Sequence, residues 1–185
     1  MHDKLLWPVD PYQGLRGVDG FGSGAFHADR VASAISAGKK EGEEYQHQGL
    51  DLRAKPGTRI LAWCDGVLLS SGYAYRGGAG DLRSIHLVGT REPFERFRFT
   101  MLYAKLVPEL VGVQSPNVRR GQSIAIVQDV AAFKMIGHTR LMVNHVHFEA
   151  RRYNAAEPGG TVLTSDPRDL QALAAHAESV AIVRV

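Results

Sequence analysis

Two histidines stand two residues apart in the run Asn144-His145-Val146-His147-Phe148-Glu149. Side chains along a β-strand alternate faces with a period of two, so an extended run points His145 and His147 to the same side. A second pair lies far upstream, in His47-Gln48-Gly49-Leu50-Asp51, where a histidine and a carboxylate sit four apart and again share a face if extended. Two histidines and an aspartate converging from separate strands suit zinc. That ion accepts imidazole nitrogen and carboxylate oxygen, and a catalytic zinc keeps one of four positions open for water. The competing reading of the same residues is a metal-free β domain with two core histidines and an exposed turn aspartate. Of the other histidines, His86 and His176 read as structural, His2 belongs to the terminus, and His27 and His138 lie in loops whose approach to the site the sequence leaves open.

These side chains need strands to position them, and from residue 47 onward the texture is β. Leu50-Asp51-Leu52 is followed by the turn signature Ala54-Lys55-Pro56-Gly57-Thr58. Arg59 to Cys64 reads as a strand, and Asp65-Gly66 is a two-residue hairpin signal leading into Val67 to Ser71. Further strands are expected at Arg83 to Val88, Arg96 to Tyr103, Ser123 to Val127 and Leu141 to Ala150. Before residue 47, Pro8, Pro11 and glycines at 14, 17, 20, 22 and 24 break any period, and Gly20 to Phe26 reads as a tight loop against another backbone. Asp29 to Ala37 is expected to be a short helix stopped by Gly38, and Lys39 to Glu44 a solvated loop. Near the end, Ser165 or Asp166 caps an expected helix from Pro167 to about Ala177, before a last strand over Val180 to Val185. Short strands, Gly-rich turns and one late helix predict a mainly β, antiparallel fold. The predicted organisation is an irregular N-terminal extension over 1–46 and one β domain over 47–185.

Bulk properties narrow the partners. The chain has 185 residues, 44% hydrophobic and 22% charged, as expected for a globular domain with a substantial core. A net charge of +3 is small and scattered, and no basic run is interleaved with aromatics, so nucleic acid is not an expected partner. Cys64 is the only cysteine, which excludes an internal disulfide and a cysteine-based zinc site, and reads as a small buried residue beside Trp63. The first residues lack the apolar core and cleavage site of a secretory signal. No stretch reaches the ~18 apolar residues of a membrane span.

The two histidine-bearing motifs carry a resemblance. His47-Gln48-Gly49-Leu50-Asp51 with the following Pro56-Gly57-Thr58 and Asp65-Gly66-Val67 resembles the first motif of the lysostaphin-type (LytM-like) zinc metallopeptidases. Val118 to Ile126, with Gly121-Gln122, is similar to that family's strand entering its second half. His145-Val146-His147 resembles its His-x-His motif, and Asp166-Pro167 with Leu170 its usual ending. The resemblance covers about residues 47–170 and implies a small antiparallel β-sheet sandwich with a groove. It implies Zn2+ as cofactor, held by His47, Asp51 and His147. It also implies His145 as the general base and acid, taking a proton from the attacking water and passing it to the leaving amine. Most members cut peptide bonds in bacterial peptidoglycan.

One position departs from the family. Where a Tyr-x-His-Leu segment is usual, this chain has Tyr103-Ala104-Lys105-Leu106. The combination resembles the leukocyte-derived chemotaxin branch, which keeps the zinc site and is regarded as lacking peptidase activity. In that branch a Gly-rich segment precedes the first motif, as Gly22 to Arg30 does here. A lysine can stabilise an oxyanion only as a point charge, so Lys105 enters the catalytic candidates in that role. Tyr103, with Tyr73, Tyr75 and Arg76, is a candidate for contacting substrate. The expectation is a zinc metalloendopeptidase, a hydrolase of peptidoglycan crosslinks; the alternative is a catalytically silent zinc-containing binding module of the same fold. Without a signal peptide, action in the periplasm or cell wall implies non-classical delivery, with an immunity or delivery partner if the protein is an exported effector.

Overall fold

The computed structural model describes residues 6–19, 22–31, 40, 42–75, 81–95, 97–133 and 142–152. Among them fourteen strands form in chain order. They are β1 (Val9–Asp10), β2 (Val18–Asp19), β3 (Gly22–Ser23), β4 (Asp29–Val31), β5 (Glu44–Gln46), β6 (Leu50–Arg53) and β7 (Arg59–Leu61). The chain continues with β8 (Gly66–Tyr75), β9 (Leu82–Gly89), β10 (Phe97–Leu102), β11 (Ala104–Leu106), β12 (Asn117–Val118), β13 (Ser123–Val127) and β14 (His145–Arg152). A single 3-10 turn, Pro108–Leu110, stands between β11 and β12. No helix among the described residues is long and apolar enough to cross a membrane.

The strands build an antiparallel sheet of six, ordered β12-β8-β9-β10-β14-β6, and a sheet of four, ordered β1-β7-β13-β11. Alternation explains the layering. On β14, Val146, Phe148 and Ala150 face the core, while His145, His147 and Glu149 take the other face. Trp63, from the segment after β7, sits edge-on to Phe99 of β10 and Phe148 of β14, with ring centroids 5.6 and 5.1 Å apart. Phe99 and Phe148 stack at 5.9 Å. Edge-to-face and offset contacts of this kind are favourable beyond the area they bury. Leu52, Ile60, Ile85, Leu87 and Ile124 are fully enclosed around them. Cys64 is buried as the sequence indicated, and burial together with the neighbouring Asp65 pushes its thiol up to about 12.

Two local expectations change. Asp65-Gly66 does not close a hairpin, because β7 and β8 lie in different sheets. Gly66 is there for space: a Cβ at this position would sit 2.4 Å from the Val88 carbonyl oxygen. Asp29–Val31 is a strand paired with Glu44–Gln46, not the start of a helix. Its three residues find backbone partners in β5, and local apolar spacing cannot report such non-local pairing. Residues 32–39, the C-terminal segment with the expected helix, and the Asp166-Pro167 and Leu170 ending lie outside the described residues.

The chain before residue 47 is woven into both sheets. Val9 pairs with Ile60, making β1 an edge of the four-stranded sheet. Leu15 forms a bridge with Leu52, and the Arg53 amide donates to the Gly14 carbonyl at 2.9 Å.

Candidate metal centre

The antiparallel register of β14 on β6 places His147 opposite Asp51. His47 arrives from the loop between β5 and β6, fixed by its amide on the Ala28 carbonyl at 3.0 Å. The chain bends at Gly49 rather than running straight, so the His47–Asp51 pair converges by a bend and not by strand alternation. A Cβ on Gly49 would lie 2.8 Å from the His147 ring and 2.6 Å from the Phe148 carbonyl oxygen, so only glycine allows this approach.

The three side chains meet through defined atoms. His147 Nδ1 is 2.8 Å from His47 Nε2 and 2.9 Å from Asp51 Oδ1, and His47 Nε2 is 3.2 Å from Asp51 Oδ1. One ligand atom from each residue lies within 4.8 Å of the others, and all three residues are buried. The far nitrogens are committed elsewhere. His47 Nδ1 donates to the Ala25 carbonyl at 2.8 Å, and His147 Nε2 donates to Glu149 Oε1 at 2.8 Å. Hydrogen bonds of this kind fix the tautomer and turn the other nitrogen toward a metal. Two imidazole nitrogens and one carboxylate oxygen, each already oriented, fit zinc.

The charges fit as well. Burial opposes charging of His147, but its hydrogen bonds to the Asp51 and Glu149 carboxylates prevail and raise it to about 9. Burial likewise opposes the Asp51 carboxylate, yet the bonds from His147 and His47 hold its pKa well below the usual range. A proton on His147 Nδ1, directed between His47 Nε2 and Asp51 Oδ1, therefore occupies the place where a divalent cation would be welcomed.

His145 stands beside this group. Its Nδ1 donates to the Val143 carbonyl at 2.6 Å, and its Nε2 lies 3.7 Å from Asp51 Oδ2. Burial pushes it down to about 4 against the attraction of Asp51, so the ring is neutral and Nε2 presents a lone pair to the site. Tyr103 packs edge-on against the His145 ring at 5.1 Å and stacks on Tyr75 at 6.2 Å. Tyr103 is only 6% exposed, and its backbone has φ 65°, a left-handed conformation unusual for a residue with a side chain. It is the pivot at which the chain leaves β10 in one sheet for β11 in the other. Lys105 is exposed on β11, an edge strand, and among the described residues no ion pair or hydrogen bond joins its ammonium to the His–Asp group. Of the other candidates, Tyr73 is 41% exposed, while Arg76 and His138 lie outside the described residues.

Sequence reasoning passed over several contributors. Glu149 sits two residues beyond His147, and strand alternation alone places it on the histidine face. Arg16 and Arg30 both reach Asp51 Oδ2, at 2.9 and 2.7 Å. Nothing in their spacing from Asp51 signals that contact.

The profile of Peptidase family M23 matches residues 45–159. No curated protein sequence matches the chain. Among solved structures, the chain is similar to Csd3 of Helicobacter pylori, with 21% identity and a TM-score of 0.47, over 81% of this chain and 32% of that one. The catalytic domain of the antimicrobial peptidase lysostaphin from Staphylococcus simulans gives 18% identity and 0.45, over 80% and 85%. A zinc containing peptidase from Vibrio cholerae gives 17% and 0.42, over 82% and 36%. The chain thus spans about a third of the length of the Csd3 and Vibrio proteins.

Proposed function

The chain belongs to peptidase family M23, and from that premise we propose that it is a zinc-dependent endopeptidase acting on peptide crosslinks of bacterial peptidoglycan. Family membership implies Zn2+, and the His47–Asp51–His147 group provides its ligand atoms. The observation that carries the reading is the convergence of those three atoms while the far nitrogens of both histidines are held by Ala25 and Glu149. When bound, zinc supplies Lewis acidity that activates water and polarises a carbonyl. The chain's residues do the rest. His145 Nε2, neutral and unprotonated, accepts a proton at the site, and Nδ1 stays anchored to Val143 so that the ring can return it to a leaving amine. Tyr103 limits the rotation of that ring.

A second reading rests on Lys105. Its place in Tyr103-Ala104-Lys105-Leu106 aligns the chain with the branch that has lysine where the second catalytic histidine is usual. Its ammonium lies exposed on an edge strand. On that reading the domain is a zinc-containing binding module that cuts nothing.

Digestion of purified peptidoglycan by zinc-loaded protein, read by mass spectrometry with a chelator control, separates the two. The endopeptidase reading expects chelator-sensitive loss of crosslinked muropeptides, and His145→Ala is expected to abolish that loss while retaining stoichiometric zinc. Zinc confirmed bound with no products would establish the binding module. Full cleavage by His145→Ala would remove His145 from the mechanism.

A further inference from the structure

The two oxygens of Asp51 have separate partners. Oδ1 is the atom that faces His47 Nε2 and His147 Nδ1. Oδ2 is held from the other side by cations: Arg16 Nε donates at 3.0 Å, Arg16 Nη2 lies at 2.9 Å, and Arg30 Nη2 donates at 2.7 Å. Both guanidiniums are themselves anchored. Arg16, 2% exposed, forms an ion pair through Nη1 with Asp19, and Arg30 Nη2 also donates to the Ser23 carbonyl at 2.6 Å. Asp19 Oδ2 reaches further, accepting the Val143 amide at 3.2 Å, and the Val143 carbonyl in turn holds His145 Nδ1. All three side chains, Arg16, Asp19 and Arg30, lie before the span that matches the family profile.

We propose that Arg16 and Arg30, anchored by Asp19 and the Ser23 carbonyl, are positioning residues that restrict Asp51 to ligation through Oδ1 alone and so keep one coordination position of a bound zinc open. The inference rests on the zinc reading above. A carboxylate with both oxygens free can chelate a metal and fill the position that water needs. For Oδ2 to turn inward here, it would have to abandon charge-assisted hydrogen bonds to two guanidiniums, and the buried Arg16 would lose one of its two carboxylates. The same two positive charges repel a divalent cation. The arrangement therefore lowers metal affinity while preserving the open position, which is the opposite of what a merely structural ion pair would do.

The test compares the full chain with its Arg30→Met and Asp19→Asn variants, each checked for fold by circular dichroism. Arg30→Met removes one clamp and keeps the apolar stem, whereas Asp19→Asn removes the charge that anchors Arg16 and keeps a side-chain oxygen to accept the Val143 amide. If Arg30→Met fails to fold, Asp19→Asn decides alone. Cobalt(II) substitution reports coordination number through the strength of its visible bands, and a competing chelator reports zinc affinity. The clamp predicts strong four-coordinate bands in the wild type and weaker five-coordinate bands in the variants. It predicts zinc bound as tightly as in the wild type or more tightly, with peptide hydrolysis lowered on the order of 10- to 100-fold. Arg30→Lys, which restores a cation, is expected to recover part of the four-coordinate signature. Folded variants that keep the wild-type bands, or that lose zinc in step with activity, would overturn the proposal and leave the arginines a structural role. A wild type that binds neither zinc nor cobalt would instead overturn the zinc reading, and the clamp with it.

Discussion

At the scale of single residues, the histidine that faces Asp51 depends on a neighbour that is not a ligand. Glu149 accepts the Nε2 proton of His147, and its own charge is steadied by Arg151 at 3.1 Å. Burial opposes the Glu149 carboxylate, but His147 and Arg151 together lower its pKa, so it remains an anion and a strong acceptor. Glu149→Ala is therefore expected to weaken zinc binding on the order of 10- to 100-fold with an unchanged far-UV spectrum. Competition titration against a chromophoric chelator measures this, and wild-type affinity in the variant would remove Glu149 from the site. Strand alternation, a local signal, was enough to put His145 and His147 on one face, whereas the approach of His47 to Asp51 depends on the bend at Gly49. Glu149 belongs to the same alternating series and was equally accessible to that reasoning. Arg16 and Arg30 were not, since they reach Asp51 through the path of a Gly-rich segment, and a side chain's long reach leaves no periodic trace.

Whole elements explain why the site is held so closely. Asp51 and His147 are cross-strand neighbours, so their separation is set by a backbone register and not by side-chain flexibility. The strands themselves were legible from alternation, as β10 and β14 illustrate, and the antiparallel sheets follow from them. What alternation could not reveal is which strand pairs with which. Asp65-Gly66 has the chemistry of a hairpin turn, yet it carries the chain from one sheet to the other. The demand for glycine there comes from the Val88 carbonyl, a contact distant in sequence. Gly66→Ala is expected to destabilise the fold by about 1–3 kcal/mol, because backbone and not a flexible side chain meets the new methyl. At ~2–4 °C per kcal/mol for a chain of this size, calorimetry resolves the loss. An unchanged melting temperature would mean that the strands separate there at little cost.

Over the whole molecule, the sequence reads as an irregular extension over 1–46 followed by a β domain. In the described structure the earlier segment supplies an edge strand through Val9, a bridge through Leu15 and two cations at Asp51. That role was illegible because extended segments with broken periodicity announce flexibility, while their backbone partners are non-local. The backbone bonds around Asp51 carry a consequence. Its amide donates to Gly24 at 2.9 Å, and its carbonyl accepts the Arg16 amide at 2.7 Å. An ion that binds only when Asp51 is in place stabilises every bond formed in the same closed state, by an amount set by its concentration relative to its dissociation constant. The amides of Arg16 and Asp51 should then exchange their hydrogens more slowly with solvent when zinc is present, by a common factor that grows with free zinc. Equal exchange with and without zinc would mean that the segment opens independently of the metal. A common slowing would make the Arg16 and Asp51 amides reporters of metal occupancy, readable without any substrate.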